Sequence, residues 1–305
     1  MNKAIIIAGP TASGKTALSI EICKKFNGEV ISADSMQIYK GMDIATAKPT
    51  SDEMCGIPHH LMSIADPSEL FSVAKFKTLA EDAIEDILSR GKLPVIVGGT
   101  GLYIDSLINN TRFGEFDGDD KYREQLRLIA EKNGNAFLWN MLMEADEPTA
   151  SRVNPNDLKR VIRALEVYHC TGKRMSEYDA VSHTEKSKYD YLFLGLFFED
   201  RSILYDRINK RVDKMFECGL VQEAQRELNK NISSTARQAI GYKELIPYFK
   251  GHSTLEEVSE SLKKATRNYA KRQLTWFRRY ENIVKIFPDK NQLQNSEEII
   301  RSFLN

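Results

Sequence analysis

Ala4-Ile5-Ile6-Ile7-Ala8 runs straight into Gly9-Pro10-Thr11-Ala12-Ser13-Gly14-Lys15-Thr16, and this stretch decides the fold. A continuous apolar, β-branched run marks a strand buried on both faces. The residues after it fit the phosphate-loop pattern G-x-x-x-x-G-K-[ST] at every fixed position. Leu18, Ile22 and Phe26 then recur at i, i+4 spacing on one helical face. Strand, loop and helix therefore follow one another in the order a phosphate site requires. In such a loop the backbone N–H groups of Gly9 to Thr16 wrap around phosphate oxygens, and the helix N-terminus adds a partial positive charge. Lys15 supplies a full charge, and Thr16 offers its hydroxyl to Mg²⁺. The loop leaves open whether those phosphates belong to a nucleotide.

Outward from this point, Glu29 to Ala33 reads as a second short strand ending at Asp34, and a polar stretch with Pro49 and Pro58 reads as a long working loop. From Ser72 to Leu88 the apolar positions Val73, Phe76, Ala80, Ala83, Ile84 and Ile87 repeat at helical spacing. Gly91 is the stop, and Leu93 to Val97 is another buried strand. The β-α-β-α-β alternation predicts an α/β fold, a core like that of the P-loop NTPases with a parallel sheet flanked by helices. Near Gly114 the pattern changes to helical periodicity without a convincing strand, so a helical insertion is expected over 114–189. The core, 1–113 and 190–305, is then discontinuous. Tyr191 to Phe198 restores a strand, and everything after it reads as helical, through Ile203 to Leu228 and Leu255 to Tyr280.

The 305 residues are 42% hydrophobic and 28% charged, which fits a packed globular chain. Forty-three basic residues balance forty-three acidic ones, so only local clusters can speak to a polyanionic partner. No run approaches the roughly 20 apolar residues of a membrane span, and a cytoplasmic protein with no membrane partner is expected. Cys23, Cys55, Cys170 and Cys218 form no Cys-x-x-Cys pair. Reduced, buried thiols without a zinc site are expected. His59 and His60, being adjacent, point apart and have no partner at ligand spacing, so they are not read as a metal site.

Val97-Gly98-Gly99-Thr100-Gly101 stands where a hydrolysing P-loop protein usually places a carboxylate, which argues against nucleotide hydrolysis. Its glycines resemble a dinucleotide fingerprint, but the final glycine is missing. Asp34 lies where the carboxyl ends of the first two strands open into one crevice; as a residue type it fits a turn or helix cap equally well. From Ser261 to Tyr280 no acidic residue occurs, while Lys263, Lys264, Arg267, Lys271, Arg272, Arg278 and Arg279 accompany Tyr269, Trp276 and Tyr280. This window can be a track for a phosphate backbone or a solvated cationic helix with aromatics in the core. Lys159, Arg160 and Arg163 beside Val161 and Ile162 would alone be an ordinary amphipathic helix.

Taken in order, these blocks resemble the bacterial tRNA dimethylallyltransferases over nearly the whole chain. The resemblance is carried by Gly9 to Thr16, Ile31 to Tyr39, Gly41 to Pro49, Val97 to Tyr103, Asn156 to Val167, Gln238 to Glu244 and Tyr269 to Phe277. It implies transfer of a dimethylallyl group from dimethylallyl diphosphate to N6 of the adenosine beside the anticodon, with diphosphate released and Mg²⁺ as cofactor. Asp34 matches the family's general base. Lys15 and Thr16 would assist the leaving group, and Arg207 and Arg211 would clamp the diphosphate from the far side. The resemblance carries over Asp34, Ser35, Met36, Gln37, Thr100, Arg123, Lys159, Arg160, Val161, Ile162 and Arg163 as contacts to the tRNA anticodon stem-loop. Asn154, where a histidine is common, and Lys159, where glutamine is frequent, depart from the pattern. A monomer is expected. The competing readings are a nucleotide or small-molecule kinase, an enzyme alkylating free adenine nucleotides, and a nucleotide-gated RNA-binding switch.

Overall fold

A computed structural model describes residues 2–111, 118–182, 187–290 and 293–305. The chain falls into two compact units, one comprising Met1–Ile108 and Lys188–Asn305, the other Asn109–Ser187. The apolar runs of the first unit form a parallel sheet of β1 (Asn2–Ala8), β2 (Gly28–Ser32), β3 (His59–His60), β4 (Leu93–Gly98), β5 (Tyr189–Leu196) and β6 (Val284–Ile286). The order is β3-β2-β4-β1-β5-β6. Ile5 sits opposite Val95 on one side and Leu192 on the other, which makes β1 central. Its residues alternate between two cores because successive side chains leave a strand on opposite faces. Ile6, Ile31 and Ile96 join one core, while Ile5, Ile7, Val30 and Val95 join the other. Each fully buried isoleucine contributes about 1.5–3 kcal/mol of transfer free energy.

In chain order the helices are α1 (Lys15–Phe26), α2 (Ser51–Met54), α3 (Val73–Ser89), α4 (Gly101–Ile108), α5 (Asp120–Asn133), α6 (Asn135–Ala145), α7 (Glu147–Ala150), α8 (Leu158–Thr171) and α9 (Met175–Ser182). After β5 come α10 (Arg201–Glu217), α11 (Leu220–Leu228), α12 (Tyr242–Phe249), α13 (Leu255–Phe277) and α14 (Leu293–Leu304). Leu18 and Ile22 of α1 pack on one sheet face. Phe76 and Ile84 of α3, Ile208 of α10 and Leu274 of α13 pack on the other. In the second unit Leu126, Leu138, Leu142, Val161 and Leu165 form a core of their own.

Several expectations need correction. The polar stretch after Pro49 contains the edge strand β3, where Val30 pairs with His59. The carboxyl-terminal part is not wholly helical, since β6 pairs Val284 with Leu194. Strands this short carry no readable alternation. The helix expected from Ile203 to Leu228 is two helices, divided at Gly219, whose φ of 96° suits glycine. Only Cys23 is buried; Cys55, Cys170 and Cys218 are exposed, and all four are free thiols. The insertion boundary expected at residue 114 lies outside the described residues. Among the described residues no helix is long and apolar enough to cross a membrane.

Candidate active site

The phosphate loop leaves the carboxyl end of β1 and enters α1 through Gly14, whose φ of 96° is left-handed and which offers no side chain to cap the helix. The first N–H groups of α1 are thus left to a ligand, as an anion site requires. Lys15 Nζ donates to Pro10 O at 2.6 Å, folding back over the loop. Burial and, after it, the neighbouring Arg211 charge bring the Lys15 pKa down to about 7, while Asp34 pulls it upward. A binding anion would restore its charge. Thr16 is exposed at the first helical turn. The Ser13 hydroxyl is buried and, among the described residues, has no hydrogen-bond partner.

Asp34 follows β2, which is separated from β1 by β4 alone. Ala33 N donates to Val97 O at 2.8 Å and Thr100 N donates to Ala33 O at 3.2 Å, so the end of β2 is tied to the glycine turn after β4. The close approach explains the glycines better than any nucleotide fingerprint does. A Cβ on Gly98 would lie 2.1 Å from Ala33 O, and one on Gly99 would lie 2.0 Å from Gln273 Nε2. Asp34 Oδ1 accepts from Met36 N at 2.9 Å and from Gln37 N at 3.4 Å, a local turn that leaves the other carboxylate oxygen outside this pair of bonds. Ser35 N donates to Thr100 Oγ1 at 3.0 Å. Gln37 is fixed by Ser32 Oγ, which donates to its Oε1 at 3.0 Å.

Arg207 and Arg211 of α10, four residues apart on one helical face, both reach the phosphate loop. Arg211 donates from Nη1 to Thr11 Oγ1 at 3.4 Å and from Nη2 to Ala47 O at 3.1 Å. Burial lowers its pKa, and the Asp34 charge opposes that shift. Arg207 Nη1 lies 3.9 Å from where a Cβ on Gly14 would be. Lys15, Arg207, Arg211 and the start of α1 therefore surround the loop with positive charge, and the Asp34 carboxylate lies within electrostatic reach of both Lys15 and Arg211, with Glu53 acting on Arg211 as well. Among the described residues no three His, Cys, Asp or Glu side chains group to hold a metal ion.

The remaining expected RNA contacts lie in the second unit. Lys159, Arg160 and Arg163 are exposed on α8. Val161 and Ile162, by contrast, are 0% and 6% exposed and pack in that unit's core, so their side chains are not surface contacts. Glu166, 0% exposed, takes Arg123 Nε at 2.8 Å and Arg163 Nη1 at 3.0 Å, and accepts from Asp119 N at 2.9 Å. One buried carboxylate thus orients two of the expected cations.

Sequence reasoning gave no role to several residues that build the first unit's site. Gln273 of α13 accepts from Thr11 N at 2.9 Å and donates to Gly99 O at 2.9 Å, bridging the phosphate loop and the glycine turn. Tyr269, read as a packing aromatic, hydrogen-bonds Thr100 and Gln273; burial and then the Asp34 charge push its phenol well above the usual range. No sequence signal marked Gln273, because its burial shows only in the packed fold. Part of that cationic window is occupied within the fold: Lys263 pairs with Asp213 at 2.8 Å, and Arg279 lies 4.1 Å over the Trp276 ring. Lys264, Lys271, Arg272 and Arg278 remain exposed.

The chain is similar to known proteins over nearly its whole length. The family described as IPP transferase matches residues 37–280, and that described as isopentenyl transferase matches residues 2–63. A tRNA dimethylallyltransferase of Thermoanaerobacter sp. (strain X514) is 48% identical over 303 residues, covering 98% of this chain and 96% of its own. The crystal structure of a tRNA isopentenylpyrophosphate transferase from Bacillus halodurans is similar with a TM-score of 0.73 and 44% identity, over 99% of this chain and 96% of that one. A eukaryotic dimethylallyltransferase, solved acting on tRNA, aligns with a TM-score of 0.83 and 36% identity, over 100% of this chain and 80% of that one.

Proposed function

Because this chain belongs to the IPP transferase family, we propose that it is a prenyl transferase acting on tRNA, moving a dimethylallyl group from dimethylallyl diphosphate to N6 of the adenosine beside the anticodon. The observation that carries the reading is the pairing of an uncapped, cation-ringed phosphate loop with Asp34 across the β4 turn.

In this reading the loop holds a leaving group. As N6 attacks the allylic carbon, the carbon–oxygen bond to the diphosphate breaks and both its electrons leave with the diphosphate. Loop N–H groups, Lys15, Arg207 and Arg211 stabilise that growing negative charge. The proton lost from N6 passes to the Asp34 carboxylate, which its turn to Met36 and Gln37 holds in place. Thr16, exposed at the helix start, fits Mg²⁺ provided that the diphosphate's own oxygens and water complete the coordination. Mg²⁺ would neutralise diphosphate charge.

A stacked adenine is out of reach of such a site, so the base is extruded from the anticodon loop for reaction. Ser35, Met36, Gln37 and Thr100 receive it, and Arg123, Lys159, Arg160 and Arg163 of the helical unit contact the tRNA backbone. The cytoplasm, where tRNA is found, is the place of action. The test is incubation with dimethylallyl diphosphate, Mg²⁺ and unmodified tRNA, followed by nucleoside mass analysis. An adenosine heavier by one five-carbon unit is expected; unchanged adenosine, or a phosphorylated product, refutes the proposal.

A further inference from the structure

Glu223, on α11, is 3% exposed, and its charge is met chiefly by backbone dipoles. Its Oε2 accepts from Asp43 N at 2.8 Å and Ile44 N at 2.7 Å. Its Oε1 accepts from Ala45 N at 2.9 Å and from the Tyr242 hydroxyl at 3.2 Å. Three consecutive N–H groups converging on one carboxylate form an anion-binding nest whose anion is a side chain of the protein itself. A buried carboxylate is costly unless hydrogen-bonded in this way, so the arrangement fixes the segment 43–45 rigidly.

The same turn ends in carbonyls that hold the active site. Lys48 N donates to Asp43 O and Ala47 N to Ile44 O, both at 3.0 Å, so residues 43–48 move as one piece. Ala47 O then takes Arg211 Nη2 at 3.1 Å, the shorter of the two hydrogen bonds that aim this guanidinium at the phosphate loop. Gln37 also leans on this turn, through Thr46 O at 3.3 Å, but it has a second anchor in Ser32.

We propose that Glu223 is a positioning residue for the diphosphate donor, acting through the 43–47 turn to set the Arg211 guanidinium against the phosphate loop. The proposal rests on the reading of Arg211 as a diphosphate ligand. It commits to one consequence: disturbing Glu223 weakens donor use more than tRNA use. In Glu223→Gln the amide NH₂, whichever way it turns, faces at least one backbone donor, so an N–H of the nest loses its acceptor. Tyr242→Phe removes the hydroxyl bond to Glu223 and leaves the backbone nest intact, giving a milder variant that keeps the test alive should Glu223→Gln fold poorly.

The experiment is a double-mutant cycle on steady-state kinetics with dimethylallyl diphosphate and tRNA, with thermal melting alongside. Glu223→Gln is expected to raise the donor KM about tenfold, as loss of a charge-assisted hydrogen bond would. Tyr242→Phe should raise it about twofold, and the tRNA KM should change by less than about twofold in both. In an Arg211→Ala background, Glu223→Gln should add less than about twofold to the donor KM. Full additivity in that background, an equal rise in both KM values, or no rise while Arg211→Ala raises the donor KM by itself, each overturns the role of Glu223. If Arg211→Ala leaves the donor KM unchanged, it is the assignment of Arg211 that fails, and the inference falls with it.

Discussion

Replacing Asp34 by asparagine separates chemistry from architecture at this site. Asp34 Oδ1 accepts from Met36 N at 2.9 Å and Gln37 N at 3.4 Å, and an asparagine carbonyl can take both bonds. The 34–37 turn, and with it the Ser35 contact to Thr100, should therefore survive. What disappears is the oxygen able to accept a proton and the charge that favours protonated Lys15 and Arg211. A general base contributes about 10²–10⁴ in rate, equivalent to ~3–5 kcal/mol of barrier at 1.36 kcal/mol per decade. Single-turnover formation of prenylated adenosine at saturating donor should fall by that factor, while the tRNA dissociation constant stays within about twofold. Turnover within about tenfold of wild type would falsify the role of Asp34 as base. Loss of tRNA binding with full turnover of bound complexes would reassign it to RNA recognition.

Three further outcomes follow from distances and charges. In Gly98→Ala the new methyl would lie 2.1 Å from Ala33 O, so the ends of β2 and β4 must separate; a loss of about 3 kcal/mol is expected, read as a lowered urea midpoint, and an unchanged midpoint counts against this packing. Glu166→Gln should loosen Arg123 and Arg163. Because both arginines are partly solvated the stability cost is about 1–3 kcal/mol, and the tRNA KM should rise without a change in donor KM. Lys15 titrates near 7 in the folded protein against an ordinary 10.5. Between those values the unfolded chain carries a proton that the native one lacks, so this group's contribution to stability rises with pH through that window. Diphosphate binding reverses the shift: a proton is taken up, and affinity falls as pH rises above 7. Calorimetry at pH 8 in buffers of different ionisation enthalpy should show uptake that is lost in Lys15→Gln, and equal uptake in both proteins would contradict the account.

The phosphate loop was legible in the sequence because its chemistry is local: strand, loop and helix follow one another, and the motif fixes every special position. Asp34 was legible as a strand-terminal acid, although only resemblance separated a base from a cap. Gln273 and Glu223 were not legible. Each meets a loop far away in the chain, and neither residue type announces a partner until the sheet has brought α11 and α13 over the loops. The short edge strands β3 and β6 escaped notice because two or three residues cannot display a period. Val161 and Ile162 illustrate the converse. They lie within a segment carried over as RNA contacts, but the 3.6-residue helical period turns them inward while Lys159, Arg160 and Arg163 face out.

In the proposed reaction the phosphate loop cradles a departing diphosphate while Asp34 receives the proton from an extruded adenine. A crystal structure with an unreactive thio-analogue of dimethylallyl diphosphate and an anticodon stem-loop tests it most directly. The account predicts the diphosphate against the start of α1, with Lys15 and Arg211 in contact and the adenine N6 about 3 Å from the Asp34 carboxylate. A diphosphate bound elsewhere, or an adenine whose N6 points away from Asp34, would contradict it.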